Sequence, residues 1–173
     1  KGAIINGGAG VNVLTGTSIN DTIDGGAGAD ILTGGAGADT FVFANNDSTK
    51  TTMDIIKDYA TGVDIIDNGG TITLATNVDA AGEATVSATG LVTGYNGAAT
   101  TYDTFDKKLA QIDLALGGTA QQAALFTDSG KTYLYISVGT NTANDGTDTV
   151  IELTGVTATT GITLTGGDIT AIA

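Results

Sequence analysis

Acidic and amide side chains recur at a fixed interval near the start of the chain. Asn12, Asp21, Asp30 and Asp39 are nine residues apart, and each closes a turn. Carboxylate and amide oxygens, combined with the backbone carbonyls of glycine-rich turns, are the ligands that hard cations such as Ca²⁺ prefer. The chemistry indicated by this spacing is oxygen-based metal binding.

The acidic composition agrees with this interpretation. The 173-residue chain contains 17 Asp but only two Glu, and its formal net charge is −13. Asp holds its carboxylate close to the backbone and favours turns, where it combines with main-chain carbonyls around a cation. A chain this acidic repels nucleic acid and anionic membranes, and we expect neither as a partner.

Several catalytic classes are excluded by the residue types that are missing. The chain has no His and no Cys, which excludes a Ser-His-Asp triad, an imidazole base, a histidine zinc site and a thiol nucleophile. Residues 129–132 resemble half of a phosphate-binding loop, but Leu125 stands where its first glycine is required. The aromatic content of 5% disfavours a glycosidase cleft. We therefore expect a protein that is not an enzyme.

Four units of nine residues follow one another over residues 7–42. The third and fourth units, 25–33 and 34–42, both begin Gly-Gly-Ala-Gly-Ala-Asp and end in three residues with an apolar one at the centre. The glycines permit a tight turn that exposes carbonyl oxygens. The last three residues are long enough for a short strand with one inward side chain.

Two units make one coil of 18 residues, and stacked coils form two parallel sheets. This register predicts that Leu14 lies over Leu32 and that Ile23 lies over Phe41. Equivalent turns are then about 4.8 Å apart, so a cation fits between them. A metal-free array of Gly/Asp turns is the alternative, but stacked aspartates at that spacing repel one another.

The unit has the pattern GGxGxDxUx and resembles the RTX (repeats-in-toxin) calcium-binding family over these 36 residues. The resemblance implies a calcium-filled parallel β-roll, in which Asp21 acts with Asp39 and Asn12 acts with Asp30. The candidate calcium ligands that it implies in the turns are Gly7, Ala9, Asn12, Gly16, Ser18, Asp21, Gly25, Gly26, Ala27, Gly28, Asp30, Gly34, Gly35, Ala36, Gly37 and Asp39.

Two of the units depart from the family pattern. Asn12 replaces an aspartate and brings no charge, so we expect the site that contains it to be the weaker one. Thr17, Ile19 and Asn20 depart in the second unit, and Ile19 stands where the pattern has a glycine. That change puts the carbonyl geometry of the second turn in doubt.

The segment after the repeats begins with a larger apolar plug at 41–43 and continues with two acidic strands, 53–59 and 63–67. This passage resembles the segment that follows the rolls of RTX exoproteins, including the non-catalytic part of serralysin-type proteases. The resemblance implies that Asp54 and Asp58 complete the last calcium sites. The alternative is that both are solvated acids at strand ends.

The remainder reads as a β-rich region with one helix. Spacing of apolar residues predicts a helix over 102–116, and Thr119 with Gln122 suggests the cap of a second short helix. The predicted strands are 71–75, 84–88, 91–95 and an antiparallel pair, 131–138 with 149–154. The loop 141–152 half-matches an EF-hand, but Ala143 has no ligand oxygen, so an acidic hairpin loop is favoured.

The predicted fold class is mainly β: an RTX β-roll over 1–43 and a β-rich C-terminal cap with one helix over 44–173. Residues 132–156 and 167–173 resemble the closing segment of RTX-bearing S-layer and adhesin-type proteins. The resemblance implies an uncleaved C-terminal signal that type I secretion machinery reads, although a final β-strand is equally compatible with 167–173.

Function is expected to be structural: calcium-dependent assembly at the C-terminus of a secreted surface-layer protein, on the cell surface and in contact with other copies of itself. The alternative is the folding and secretion module of an RTX exoenzyme (protease or lipase) or of an adhesin. The chain begins at Lys1 without an apolar leader, so we expect a fragment or mature segment. No apolar run is long enough for a transmembrane segment.

Overall fold

The computed structural model describes residues 1–44, 46–74, 84–95, 104–116, 121–138, 147–157 and 160–172. Within these residues there are 15 β-strands and one α-helix. They are β1 (Ile4–Asn6), β2 (Val13–Thr15), β3 (Thr22–Asp24), β4 (Ile31–Thr33), β5 (Thr40–Val42), β6 (Asp54–Ile56), β7 (Ile65–Asp67), β8 (Thr73–Leu74), β9 (Ala84–Val86), β10 (Val92–Tyr95), α1 (Phe105–Ala115), β11 (Gln122–Asp128), β12 (Lys131–Ser137), β13 (Thr149–Leu153), β14 (Ile162–Thr165) and β15 (Asp168–Ile172).

Two sheets run the length of the molecule. One has the order β1-β3-β5-β7-β15-β14, and the other has the order β2-β4-β6-β13-β12-β11-β8. The repeat strands pair in parallel, and the pairs β11–β12, β12–β13 and β14–β15 are antiparallel. β9 and β10 form a separate antiparallel pair. The predicted class, a parallel β-roll followed by a β-rich region with one helix, is confirmed.

The predicted register of 18 residues is also confirmed. Leu14 pairs with Leu32, and Ile23 pairs with Phe41. A third coil continues both sheets, because β6 pairs with β4 and β7 pairs with β5. Its turns are longer than those of the repeats, so the sequence step from Asp30 to Asp54 is 24 residues instead of 18.

The core of the roll is the space between the two sheets. Each repeat strand contributes its central side chain, and those of Ile23, Leu32 and Phe41 are fully buried. The same apolar cluster continues to residues of the C-terminal region such as Leu134 and Ile151. The strands on either side of the predicted boundary at 43/44 therefore belong to the same sheets, and that boundary stays a prediction.

The C-terminal region has longer strands than the roll. The predicted pair 131–138 with 149–154 is confirmed as β12 and β13. The suggested second helix is wrong at Gln122, which begins strand β11; Thr119 lies outside the described residues. Seven paired residues of β12 and the burial of residues 123–126 outweigh the helical preference of this Ala-rich stretch.

A second apolar cluster lies on the opposite face of the seven-stranded sheet. α1 covers it, with Leu109 and Ile112 fully buried. The helix begins after Thr104, whose side chain accepts a hydrogen bond from Lys107 N; residues 102–103 of the predicted helix lie outside the described ranges.

The remaining predictions for the C-terminal region have mixed outcomes. Strands were predicted at 71–75, 84–88 and 91–95, and they appear as the shorter β8, β9 and β10. The final strand considered for 167–173 is present as β15. Glu152, the last position of the EF-hand half-match, forms an ion pair with Lys131 at 2.8 Å, and residues 141–146 lie outside the described ranges. No helix in the described ranges is long and apolar enough to cross a membrane.

Candidate metal sites along the roll

The turns of the roll form two edges. We call the first the Asp30 edge: the turns 7–12 and 25–30 and the loop that ends at Asp54. Its key side chains are stacked, because Asn12 N donates to Asp30 Oδ1 at 2.7 Å and Asp30 N donates to Asp54 Oδ1 at 2.8 Å. Three sequence-predicted ligands are therefore brought into one column.

We call the second the Asp39 edge: the turns 16–21 and 34–39 and the segment that ends at Asp64. Asp21 N donates to Asp39 Oδ1 at 2.8 Å, and Asp39 N donates to Asp64 Oδ1 at 2.9 Å. The predicted partners Asp21 and Asp39 are thus adjacent. Asp64 was not among the predicted ligands, although its Asp-Ile-Ile sequence repeats that at Asp54 and signals the same position.

Three side-chain oxygens of the Asp30 edge are buried and have no hydrogen-bond partner: the amide oxygen Asn12 Oδ1 and the second carboxylate oxygens Asp30 Oδ2 and Asp54 Oδ2. Asp30 and Asp54 are 0% exposed, and a buried polar atom without a partner costs about 1–3 kcal/mol, more if charged. These oxygens require a donor or a cation.

The first glycine of each repeat turn lies directly against oxygen atoms, with no room for a side chain. A Cβ atom on Gly7 would lie 2.5 Å from Asn12 Oδ1 and would also contact the Gly25 carbonyl oxygen, while one on Gly25 would lie 2.5 Å from Asp30 Oδ2. Calcium takes carboxylate, amide and backbone carbonyl oxygens as ligands. The unpartnered carboxylate and amide oxygens next to these glycines fit calcium, which would neutralise the negative charge of the column.

Backbone carbonyls complete the surroundings on this edge. A Cβ on Gly26 would meet the Gly8 carbonyl, and one on Gly28 would meet the Gly10 carbonyl. Gly8 N donates to Gly25 O at 3.1 Å, and Gly10 N donates to Ala27 O at 2.7 Å. Both Gly26 and Gly28 have positive φ, so the predicted glycines are required for close approach of the turns.

The remaining predicted turn ligands lie either against the aspartates of the Asp39 edge or on the exposed side of their turns. A Cβ on Gly16 would lie 2.7 Å from Asp21 Oδ2 and would contact the Gly34 carbonyl. Ala36 N donates to Thr17 O at 3.1 Å. Residues on the outer side of their turns are exposed: Ala9, Ser18, Gly35, Ala36 and Gly37.

Asp58 and Asp54 lie on different edges. Asp58 belongs to the Asp39 edge, where its two carboxylate oxygens accept hydrogen bonds from Gly34 N at 2.8 Å and Gly35 N at 2.9 Å. Asp54 continues the Asp30 column instead. The two residues therefore do not share a site, and Asp58 is engaged with the backbone.

Uncompensated negative charge marks both edges. Burial raises the pKa of Asp54 to about 8, and the nearby carboxylates of Asp30, Asp47 and Asp24 add to that effect. Burial also raises the pKa of Asp39, and Asp64, Asp21 and Asp58 contribute. A bound cation would reverse this unfavourable situation.

Each candidate site depends on few carboxylates. Among the described residues, no three His, Cys, Asp or Glu side chains converge on one metal position. Calcium would therefore be held by a pair of side chains from neighbouring coils together with backbone carbonyls. Such mixed oxygen ligation is within the range that calcium accepts.

The comparisons with known proteins agree with the repeats. The family model of the RTX calcium-binding nonapeptide repeat (4 copies) matches residues 5–41. This segment therefore carries RTX repeats, which are calcium-binding motifs. No curated protein matches the chain.

Solved structures provide a further likeness. The chain is similar to the solution structure of the AlgE6R3 subunit from the mannuronan C5-epimerase of Azotobacter vinelandii, with 20% identity and a TM-score of 0.41. The match covers 92% of this chain and 85% of that chain.

Proposed function

We propose that the chain is a calcium-dependent structural module at the C-terminus of a secreted bacterial surface-layer protein. The observation that carries the calcium part is the Asp30 edge, where Asn12 Oδ1, Asp30 Oδ2 and Asp54 Oδ2 are buried without a partner. The matched repeat family supports the same metal. The role is binding and assembly rather than catalysis.

Its mechanism is folding coupled to binding. Without calcium, the stacked carboxylates repel one another and the short strands of the roll cannot remain paired. With calcium, the ions bridge neighbouring turns, and their binding free energy becomes folding free energy. A chain that stays unfolded inside the cell and folds outside, where calcium is abundant, suits passage through type I secretion machinery that recognises the C-terminus.

Self-association on the cell surface is the finer part of the proposal. The first coil of the roll carries exposed apolar side chains: Ile4 is 73% exposed, and Val13 is 71% exposed. These residues lie on β1 and β2, the outermost strands of the two sheets. Exposed apolar side chains favour contact with another chain, which supports assembly with other copies in a lattice.

Calcium titration of the purified chain tests the binding part. We expect far-ultraviolet circular dichroism to gain β signal and calorimetry to record heat as calcium is added to metal-free protein. Asp106→Asn is the control, because Asp106 lies on exposed helix surface, outside both edges. Identical spectra and melting temperatures with and without calcium would refute calcium-dependent folding.

Electron microscopy tests the lattice part. Ordered two-dimensional arrays that form on addition of calcium and dissolve in chelator are the expected result. Persistent monomers at millimolar calcium would contradict the surface-layer role and favour the alternative, a folding and secretion module of an exoenzyme or adhesin. The presence of a catalytic motif in the remainder of the parent protein would favour that alternative too.

A further inference from the structure

The second turn of the roll differs from the other three at its second and fourth positions. Gly8, Gly26 and Gly35 hold the second position with positive φ, whereas Thr17 holds it in the turn 16–21. Among the described residues, positive φ outside glycine occurs only at Asn46, Gln121 and Ser129. Thr17 thus has a different backbone conformation from its glycine equivalents.

The amide of Thr17 consequently points to a different partner. In the first turn, Gly8 N donates across the coils to Gly25 O. In the second turn, Thr17 N donates within its own turn to Asp21 Oδ2. A backbone donor therefore occupies Asp21 Oδ2, the carboxylate oxygen that lies against Gly16.

The hydroxyl of Thr17 adds to this arrangement. Thr17 Oγ1 donates to Asp21 Oδ2 at 2.9 Å and lies 3.2 Å from Asp21 Oδ1. Asp21 Oδ1 also accepts a hydrogen bond from Ala3 N at 2.6 Å. Donors from three groups surround this carboxylate, whereas Asp30 Oδ2 on the other edge has none.

The fourth position reinforces the difference. Gly10 N donates across the coils to Ala27 O at 2.7 Å. Ile19 N, its equivalent, donates to Thr17 Oγ1 at 3.4 Å. The turn 16–21 is therefore closed on itself by hydrogen bonds from Thr17 and to Thr17.

The electrostatics of the two carboxylates agree with this geometry. The hydrogen bond from Ala3 N lowers the pKa of Asp21, burial opposes that change, and the Thr17 amide and hydroxyl lower the pKa further. Asp54, in the column with the unpartnered oxygens, has a raised pKa instead. Hydrogen-bond donors already stabilise the Asp21 charge, so a cation gains less there.

We propose that Thr17 determines which edge of the roll binds calcium: its amide and hydroxyl satisfy Asp21 and weaken the site between Asp21 and Asp39. Calcium therefore binds preferentially on the Asp30 edge. The inference rests on the proposed calcium-binding function and reverses the order expected from charge alone, by which the Asn12 site is the weaker. A neutral ligand with an unpartnered oxygen is more available to calcium than a carboxylate with its donors in place.

Isothermal titration of metal-free protein with calcium tests the role of Thr17. Thr17→Gly restores the family pattern at this position, and we expect it to tighten the weakest site by about 10-fold to 100-fold, because a hydrogen bond to a charged carboxylate that competes with the cation is lost. The gain is recorded as one additional calcium ion per chain at a fixed free concentration. Thr17→Ser retains the hydroxyl and is expected to bind as the wild type does.

Two further variants separate the hydroxyl from the added flexibility of glycine. Thr17→Ala removes the hydroxyl without adding a glycine, and we expect a smaller gain in the same direction. Asn20→Gly adds a glycine to the same turn at an exposed position that is not among the predicted ligands, and it is expected to bind calcium no more tightly than the wild type. Circular dichroism at saturating calcium verifies that each variant is folded.

The outcomes distinguish this inference from the function on which it rests. If the wild type binds no calcium, the proposed function fails. If the wild type binds calcium and neither Thr17→Gly nor Thr17→Ala changes the number or affinity of the ions, the role of Thr17 is refuted. An equal gain in Asn20→Gly would also refute it, because flexibility would then be the cause.

Discussion

The roll and the C-terminal region use the same two sheets but satisfy their polar groups in different ways. Strands of the roll have three residues, and each buries one central side chain. β11 and β12 have seven residues, and β13 is buried along its whole length. The C-terminal region thus buries more apolar surface per strand, and burial is the main source of folding free energy.

The two regions also differ in how buried oxygens are contacted, although Gln111 Oε1 and Ser137 Oγ of the C-terminal region also have no hydrogen-bond partner. The buried Tyr135 hydroxyl lies 2.8 Å from Asp113 Oδ1 and 2.7 Å from Asp148 Oδ2. On the Asp30 edge, the buried oxygens of Asp30 and Asp54 have no such partner. The comparison indicates that apolar packing stabilises the C-terminal region, while the roll depends on an external cation.

Two matched core substitutions, one in each region, should produce the largest loss in the free energy of unfolding. Phe41→Ala in the roll and Phe126→Ala in the C-terminal region each remove a fully buried ring and should cost about 3–5 kcal/mol. We expect the calcium concentration at which half of the roll is folded to rise strongly only for Phe41→Ala. A calcium titration below the melting temperature measures it. An equal rise for both would show that the regions fold as one unit.

Removing a carboxylate from the Asp30 edge should have the next largest effect, a loss of calcium affinity. Asp30→Asn retains the shape of a side chain that is fully buried but removes its charge, and we expect calcium affinity to fall by about 10-fold to 100-fold or more. Asp106→Asn, on the exposed helix surface, should bind calcium normally. Unchanged affinity of Asp30→Asn would exclude Asp30 as a ligand.

Tyr135→Phe tests whether the stability of the C-terminal region is independent of calcium. It removes a hydroxyl that two buried aspartates contact, and we expect a loss of about 1–2 kcal/mol in the free energy of unfolding. Because this site lies outside both edges of the roll, the loss should be the same at low and high calcium. Chemical denaturation at both calcium concentrations measures it, and a calcium-dependent loss would contradict the separation of the two regions.

A pH titration in chelator gives the smallest and most specific effect. The pKa of Asp54 is about 8 in the folded chain against 3.8 for a free side chain, so folding without metal takes up a proton. The stabilisation that this proton provides is complete below about pH 4 and is lost as the pH rises through about 8. We expect metal-free protein to have more β signal in circular dichroism at about pH 5 than at about pH 9.

The result that would contradict this expectation is loss of order on acidification in that range. With saturating calcium, the pH dependence between these two values should be much smaller, because bound calcium keeps the carboxylates ionised. That sample is the control for general acid effects.

The repeat register could be read from the sequence because its signal is local and periodic. Spacing of nine residues predicted that Leu14 pairs with Leu32 and that Ile23 pairs with Phe41, and both pairs are present. Asp64 was missed because an irregular segment interrupts the period before it. Its position depends on the pairing of β7 with β5, for which the Asp-Ile-Ile sequence shared with Asp54 is the local signal.

The wrong prediction of a helix at Gln122, which begins strand β11, has a different cause. The local sequence of residues 121–125 favours a helix, but these residues pair with β12 and are buried between neighbouring strands. Tertiary pairing outweighs local preference there. The closed turn around Thr17 was also beyond prediction, since it depends on where one amide and one hydroxyl point.

Hydrogen exchange across the whole chain, with calcium and with chelator, tests the central claim most directly. The account predicts that removing calcium abolishes amide protection in β2 to β5, while β12 and β13 remain protected. Protection of the roll strands that is the same in chelator and in calcium would contradict it.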